Sequence, residues 1–215
     1  MITVWGEGRG FRVVWLLEEM GLPYRLRPVD LMQDVTQDAG FMAVNPAGFI
    51  PALTDGDDTL VESIAILQYL MAKHGPTPLA PGAADPGFAP YLQFLHLGEA
   101  GLLGSIYFWN NAQRYDTEAE RTNRTARHTL AQFDSRLELV TARLAEAPFM
   151  AGETFTAADI SVGTALEQAR YGGNRHPLDA ACLAYLSRLE DRPAYRRAME
   201  VCTARSAWID SVRGA

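Results

Sequence analysis

The sequence predicts a small α/β domain followed by an all-helical domain. The first 75 residues read as β-α-β-α-β-β-α, whereas apolar residues after position 87 recur at three- and four-residue steps, as they do on helices. Between these parts, "GPTPLAPGAADPG" is rich in Pro, Gly and Ala, which predicts a linker. The predicted domains are therefore residues 1–75 and 88–215, joined by a linker at 76–87.

The α/β domain begins with a predicted β-α-β unit. "ITVW" is short and β-favouring, "FRVVWLLEEMG" has apolar residues at helical spacing, and "YRLRPVDL" alternates apolar and polar residues like a second strand. "IPAL" and "TLVE" flank Asp55-Gly56-Asp57-Asp58, a hairpin signal because Gly and Asp tolerate positive φ. From Ser63, "SIAILQYLMAKHG" predicts a helix that ends at Gly75 and Pro76.

The second domain carries long helical patterns. They cover residues 88–113, 118–147, 157–172 and 178–202. In "GETFTAADI", Thr156 and Asp159 have the spacing of a capping box, and Phe155 and Ile160 are placed for a hydrophobic staple. Helix nucleation explains this motif without a functional role.

The composition excludes several classes of function. A formal net charge of -7 and a pI near 5.1 argue against a nucleic-acid partner. No apolar run approaches the roughly 18 to 20 residues that span a bilayer, and "MITVWGEGRG" lacks the pattern of a signal peptide. We therefore expect a cytoplasmic protein without a membrane segment, whose partners are proteins or small molecules.

No metal site is expected from the cysteines and histidines. Cys182 and Cys202 show neither a CxxC redox spacing nor the paired spacing of a zinc site, so buried or surface thiols are the default interpretation. The histidines are scattered without ligand spacing: His74, His96, His128 and His176.

The stretch "NPAGFIPAL" places Pro51 at the start of a predicted inner strand. A proline there removes a donor of the sheet, so that edge must face something else. If the Ile50–Pro51 bond is cis, the backbone N–H and C=O of Ile50 point outward and can pair with a peptide-like ligand. A trans proline on an edge strand is the alternative, and the local sequence does not separate the two.

Glu62 and Ser63 stand at the start of the helix that follows the hairpin. Ser63 is placed as an N-cap, and the first-turn N–H groups form an anion site that the helix dipole strengthens. Glu62 can hold an ammonium group. A ligand with an α-amino and an α-carboxylate group on one carbon fits both residues, although an ordinary capped helix also explains the pair.

Taken together, "NPAGFIPAL", "LVESIAILQYL", "FRVVWLLEEMGLPY" and "GETFTAADI" resemble the glutathione transferase superfamily in order and spacing over nearly the whole chain, as a bacterial-type member without an assigned class. The resemblance implies a thioredoxin-like N-terminal domain, an all-α C-terminal domain, a cis bond before Pro51, glutathione as co-substrate, and a homodimer. By this similarity, the Ile50 backbone pairs with the cysteinyl part of glutathione, while Glu62 and Ser63 hold its γ-glutamyl end.

The expected thiol-activating group is missing. In the family this hydroxyl follows the first strand, but "VWGEGRGFR" contains no Tyr, Ser or Cys, and Thr3 lies inside the strand. Arg9 or the N–H groups of the following helix are candidates to stabilise a thiolate, and Gly8 and Gly10 allow close approach. A flexible turn with a solvated Arg9 is the alternative. The glutathione-binding residues expected are thus Ile50, Pro51, Glu62, Ser63 and Arg9.

Charge around the expected site also departs from the family pattern. From Pro28 through Ala72 there is no Lys or Arg, and Phe49 stands where the family often has a side-chain donor. Glutathione carries two carboxylates, so other groups, or a second subunit, must compensate. The candidates within the chain are Arg9, Arg12, Gln33, Gln37 and Asn45.

The resembled architecture places an apolar electrophile against the first long helix of the second domain. There "GEAGLLGSIYFWNN" offers Ser105, Tyr107 and Phe108 as pocket residues, with Ser105 and Phe108 on one helix face. Ser105 and Tyr107 join Arg9 as catalytic candidates, although such aromatic residues also form helical cores.

Two functions follow from this sequence. The first is a glutathione transferase-like enzyme that conjugates glutathione to a small apolar electrophile, or uses glutathione to reduce one. The second is a non-catalytic ligand-binding or protein-interaction module with the same fold. Ile50-Pro51 and Glu62-Ser63 favour the enzyme, and the missing hydroxyl favours the module.

Overall fold

The chain forms two compact units. The computed structural model describes residues 1–31, 33–172 and 176–213, with only the backbone described at Trp208, Val212 and Arg213. One unit comprises Met1–Thr77 together with the chain from Arg192 onward, and the other comprises Pro78–Asp191. Along the described chain, no helix has both the length and the apolar character needed to cross a membrane.

The first unit is built on a four-stranded mixed sheet. Its strands are β1 (Ile2–Trp5), β2 (Tyr24–Arg27), β3 (Ala52–Asp55) and β4 (Asp58–Val61). They lie in the order β2-β1-β3-β4, with β1 parallel to β2 and antiparallel to β3, and with β3 antiparallel to β4. The predicted α/β domain with a terminal hairpin is confirmed.

The helices of the chain follow in order. They are α1 (Phe11–Met20), α2 (Ala39–Val44), α3 (Ser63–Lys73), α4 (Phe88–His96), α5 (Gly104–Tyr115), α6 (Glu118–Arg121), α7 (Arg124–Glu146), α8 (Ala157–Tyr171), α9 (Ala180–Glu190), α10 (Pro193–Val201) and α11 (Thr203–Arg213). A π-helical segment, Leu97–Leu103, connects α4 to α5. The all-helical character predicted after residue 87 is confirmed.

Helix α1 forms the centre of the first unit and packs against α3 and α10. Residues Phe11 through Leu17 are all buried on it, as the apolar spacing predicted. Tyr195 of α10 meets Phe11 and Trp15 edge-on, with ring centroids 5.4 and 5.0 Å away. A bidentate ion pair adds to this packing: Arg192 Nε and Nη2 donate to the two carboxylate oxygens of Glu19 at 2.6 and 2.8 Å.

The last two helices, α10 and α11, belong to a different unit from the one that the sequence predicted. The sequence assigned residues 88–215 to one helical domain, but the contacts group α10 and α11 with the α/β unit. The reason is that helical periodicity reveals an apolar face without revealing which surface covers it. The boundaries at 75 and 88 stay a prediction.

Two predicted helices are each divided in two. Residues 118–147 contain a break before Arg124, where the Asn123 side chain accepts a hydrogen bond from Ala126 N and starts a new helix. Residues 178–202 break at Asp191–Arg192, and Pro193 occupies the first position of α10, where a proline is well tolerated. Local capping therefore overrode a continuous apolar pattern.

Helix α8 is the buried centre of the second unit. It crosses the π-helical segment at Gly98, where an added Cβ would lie 2.7 Å from Val162 N, so only glycine permits this approach. Ser161 Oγ donates to Leu95 O at 2.8 Å and fixes the crossing. The unwound segment thus lets two helices meet along their backbones.

The predicted capping box at the start of α8 is confirmed. Asp159 is fully buried and accepts four hydrogen bonds: from Met150 N, Thr156 N, Thr156 Oγ1 and Tyr185 Oη. Burial raises the pKa of Asp159 to about 6, although these bonds oppose the rise. The carboxylate thus joins α8 to the preceding loop and to α9.

We expect Asp159→Asn to lower the free energy of unfolding by about 2 to 3 kcal/mol, because the new amide group would face the Thr156 N–H donor. Tyr185→Phe removes only one donor and should cost about 1 kcal/mol. Chemical denaturation of both variants measures this order. Equal losses would contradict the assignment of Asp159 as the shared acceptor.

Candidate functional site

A glycine-rich loop, Gly6–Gly10, leads from β1 into α1. Gly6 has φ +88° and donates to Arg27 O at 2.8 Å, and a tight turn at Gly8–Gly10 runs directly into the helix. The loop packs against Ile50: a Cβ on Gly6 would collide with that side chain, and one on Gly8 would lie 3.1 Å from its Cδ1. Gly6 is needed for this close contact, because both its positive φ and the lack of space exclude a Cβ.

Asn45 shapes the turn that delivers Ile50. Its Nδ2 donates to Phe49 O at 2.6 Å, and its Oδ1 accepts from Ala47 N at 3.1 Å. The Ile50–Pro51 bond is cis, which is the first of the two alternatives that the sequence left open. Among the described residues, neither the N–H nor the C=O of Ile50 makes a hydrogen bond.

A buried arginine supports the start of α3. Arg12 is fully buried in α1, and its Nη1 donates to Ser63 Oγ at 2.9 Å. Ser63 is itself the first residue of α3, so the prediction that it serves as the N-cap is wrong by one position. Its hydroxyl accepts from the guanidinium instead of closing its own helix turn.

Glu62 occupies the N-cap position in a rare conformation. Its φ is +70° and its ψ is 107°, and it makes no side-chain capping bond. A non-glycine residue with positive φ is uncommon and costs on the order of 1 to 3 kcal/mol, so such residues cluster at functional sites. The side chain of Glu62 is exposed.

The start of α3 therefore presents two opposite charges side by side. The helix dipole and the buried Arg12 guanidinium make the backbone end positive, while Glu62 adds an exposed carboxylate. A group that carries both an ammonium and a carboxylate on one carbon matches this pattern. The arrangement is suited to an α-amino acid end.

Several predicted compensating groups are engaged elsewhere. Gln33 donates to Asp30 and Gln37 donates to Asp34, both within their own loop. Asn45 is used in the turn before Ile50, and Arg12 is buried beneath Ser63. Arg9 is partly buried in the Gly8–Gly10 turn.

The three residues predicted to line the apolar pocket have different surroundings. Ser105 is buried, donates to Gly101 O at 3.0 Å and accepts from Arg136 Nη1 at 3.2 Å. Tyr107 is 40% exposed and Phe108 is 68% exposed. Phe108 lines a cavity of about 360 Å³ within the helical unit, alongside Trp109.

Comparison with known families identifies the fold. The N-terminal domain of glutathione S-transferases matches residues 10–73, and their C-terminal domain matches residues 118–210. The chain belongs to the glutathione transferase superfamily. Two curated relatives agree: glutathione S-transferase 3 of Schizosaccharomyces pombe is 29% identical over 71% of this chain and 67% of its own length. GstB of Escherichia coli is 26% identical over 94% of this chain and 99% of its own length.

Solved transferase structures extend the agreement to three dimensions. A glutathione transferase from Methylococcus capsulatus superposes with a TM-score of 0.80 at 28% identity. The match covers 95% of this chain and 100% of that one. A theta class enzyme from Xanthomonas axonopodis, solved with glutathione bound, has a TM-score of 0.77 at 28% identity and covers 92% of this chain and 96% of its own. The thioredoxin-like transferase fold is thereby confirmed.

The sequence analysis did not single out Glu7, which lies in the loop Gly6–Gly10. Glu7 lies in the loop where the family carries its hydroxyl, yet it is buried and its Oε2 accepts from Ala204 N at 2.8 Å. Its partner is 197 positions away, so no local pattern signals the contact.

We expect Glu62→Gly to raise the free energy of unfolding by about 1 kcal/mol, because glycine adopts positive φ without the steric cost of a Cβ. Glu62→Ala keeps the Cβ and removes only the carboxylate, so it serves as the matched control. Denaturant unfolding compares the two. An equal gain in Glu62→Ala would show that charge, and not backbone conformation, limits stability here.

Proposed function

We propose that this transferase binds glutathione on the face formed by Ile50, Pro51, Glu62, Ser63 and the loop that carries Arg9. The backbone groups of Ile50 pair with the cysteinyl residue of glutathione as an added strand would. Glu62 takes the α-ammonium group, and the first turn of α3 takes the α-carboxylate of the γ-glutamyl residue. Membership of the superfamily and the glutathione bound to the Xanthomonas enzyme support this assignment.

The observation that carries the proposal is Glu62 itself. It keeps an exposed carboxylate in a costly backbone conformation, directly beside a helix start made positive by Arg12. A purely structural cap would use a Ser, Thr, Asp or Asn side chain that bonds to the helix. Binding of a ligand ammonium group by the carboxylate gives a reason for Glu62 to keep this costly conformation.

The proposed chemistry is nucleophilic attack by the thiolate of glutathione. The thiol loses its proton to solvent, the sulfur forms a bond to an electrophilic carbon, and the leaving group departs with its electron pair; with a disulfide, the sulfur displaces a thiolate instead. Stabilising the thiolate is the task of the protein. Arg9 and the backbone N–H groups at the start of α1 are the candidates.

Ser105 and Tyr107 are the alternative hydroxyl donors. Ser105 already donates its proton to Gly101 O and would have to rotate away from it to reach a sulfur atom. Tyr107 is partly exposed and stays a candidate. We propose a small apolar electrophile as second substrate, in contact with the segment that contains Ser105, Tyr107 and Phe108.

A non-catalytic binding module is the second candidate function. The observation that favours it is the absence of Tyr, Ser and Cys from "VWGEGRGFR". In this case glutathione or a related peptide binds without turnover. We further propose a homodimer, which rests on the superfamily relationship and is checked by sedimentation, and a cytoplasmic location, which is checked by fractionation.

We expect glutathione to bind saturably at or below millimolar concentration, and Glu62→Gln to weaken it at least about tenfold, because the ligand ammonium loses its charged partner. Isothermal titration calorimetry measures both. Asp57→Asn, at the exposed hairpin turn, is the matched control and should bind like the natural protein. No saturable binding to the natural protein would reject both the enzyme and its glutathione site, while binding without turnover of any test electrophile would support the module.

If Arg9 stabilises the thiolate, Arg9→Ala should raise the pKa of the bound thiol by about one unit or more, because a nearby positive charge favours the ionised form. The ultraviolet absorbance of the thiolate, followed against pH, measures this value. Arg25→Ala, which removes an exposed arginine on β2, is the control. An unchanged thiol pKa in Arg9→Ala would leave the start of α1 as the stabilising group.

A further inference from the structure

Glu7 joins the loop Gly6–Gly10 to the start of α11. Its carboxylate is buried and accepts a hydrogen bond from Ala204 N, which lies in the first turn of that helix. A carboxylate at a helix N-terminus pairs with an unsatisfied N–H group and with the positive end of the dipole. The contact is therefore a charge-assisted cap supplied from the opposite end of the chain.

A second contact reinforces the same attachment. The Arg205 guanidinium lies over the Phe11 ring, with Cζ 4.2 Å from the ring centroid, so the first turn of α11 also meets the first residue of α1. Cys202, just before α11, is buried, and this burial together with the charge of Glu7 raises the pKa of its thiol to about 12. The charged Glu7 side chain thus lies beside the α10–α11 junction.

The other side of the loop packs against the residue proposed to bind the cysteinyl group. Gly6 and Gly8 meet the Ile50 side chain so closely that a Cβ on Gly6 would lie 2.6 Å from Ile50 Cβ. Gly10 approaches Pro51, where an added Cβ would be 3.5 Å from Pro51 Cβ. A displacement of the loop therefore also disturbs Ile50 and Pro51.

We propose that Glu7 is a positioning residue that holds the thiol end of the glutathione site by attaching its loop to α11. This inference rests on the proposed function, because that function places the thiol beside the loop. A change in the position of α11 then also changes the geometry of the loop Gly6–Gly10. Glu7 does not touch the reacting sulfur; it fixes the residues that do.

Two other carboxylates on α1 make comparable contacts with α10 and the residue before it, and neither contacts the loop Gly6–Gly10. Glu18 Oε2 accepts from Arg197 Nε at 2.7 Å, and Glu19 pairs with Arg192, both at the far end of α1. Loss of either contact weakens the attachment of α10 but leaves the Ala204 cap in place. Glu18→Gln is therefore a matched control for Glu7→Gln.

The first experiment uses the ligand-free protein. Hydrogen–deuterium exchange should become about tenfold faster or more at residues 6–10 and 203–206 in Glu7→Gln, because the charged acceptor is replaced by a neutral amide that bonds more weakly to Ala204 N. In Glu18→Gln the increase should fall on α10 and near Tyr24, whose hydroxyl also donates to Glu18, and should spare residues 6–10. Unchanged exchange at residues 6–10 in Glu7→Gln would overturn the proposal.

Ala204→Pro tests the contact from the other partner. It removes the N–H donor and keeps Glu7, and the first turn of a helix tolerates proline. It should reproduce the faster exchange of the loop, which keeps the test decisive if Glu7→Gln does not fold. Unchanged exchange at residues 6–10 in Ala204→Pro would overturn the proposal.

The second experiment measures the pKa of the bound glutathione thiol. Loosening the loop should raise this pKa in Glu7→Gln, so that the thiolate fraction at neutral pH falls severalfold. Simple removal of a nearby negative charge would lower it instead, so an unchanged or lowered value overturns positioning. If the natural protein binds no glutathione, the proposed function fails, and the exchange experiment still decides whether Glu7 holds the loop.

Discussion

The hydrogen bond from Arg12 Nη1 to Ser63 Oγ joins the first turns of α1 and α3. A buried guanidinium is costly without hydrogen bonds, and the Ser63 hydroxyl accepts one of them. It also adds positive charge behind the first turn of α3. The neighbouring Glu62 supplies the opposite charge on the exposed side. The proposed recognition of an amino-acid end of glutathione depends on this pair of charges and on the buried arginine that supports it.

The loop Gly6–Gly10 connects this face to the rest of its unit. Its glycines allow Ile50 to pack against the backbone, and Glu7 reaches the first turn of α11. These contacts make a loop without a catalytic hydroxyl into a well-supported backbone surface. The proposed stabilisation of a thiolate by backbone N–H groups and Arg9 depends on this support of the loop.

The helical unit contributes a different kind of constraint. Gly98 lets α8 cross the π-helical segment at backbone distance, and Asp159 gathers donors from two neighbouring segments and from α9. Helix α5 continues directly from the π-helical segment, so its start depends on this crossing. Ser105 donates to Gly101 O within this backbone, whereas Phe108 and Tyr107 are partly exposed.

The sequence by itself determined the order of strands and helices, the hairpin at Asp55–Asp58 and the capping box at Asp159, because apolar periodicity, turn residues and capping spacings act over a few neighbouring positions. The local sequence left the isomer of the Ile50–Pro51 bond open, the family resemblance implied cis, and the structure has the cis bond. Tertiary structure alone decided that Arg12 supports Ser63, that Glu7 caps α11 and that α10 packs on α1. These contacts join residues 51 to 197 positions apart, and pairing at that separation depends on which buried surfaces meet, a property that no local pattern encodes.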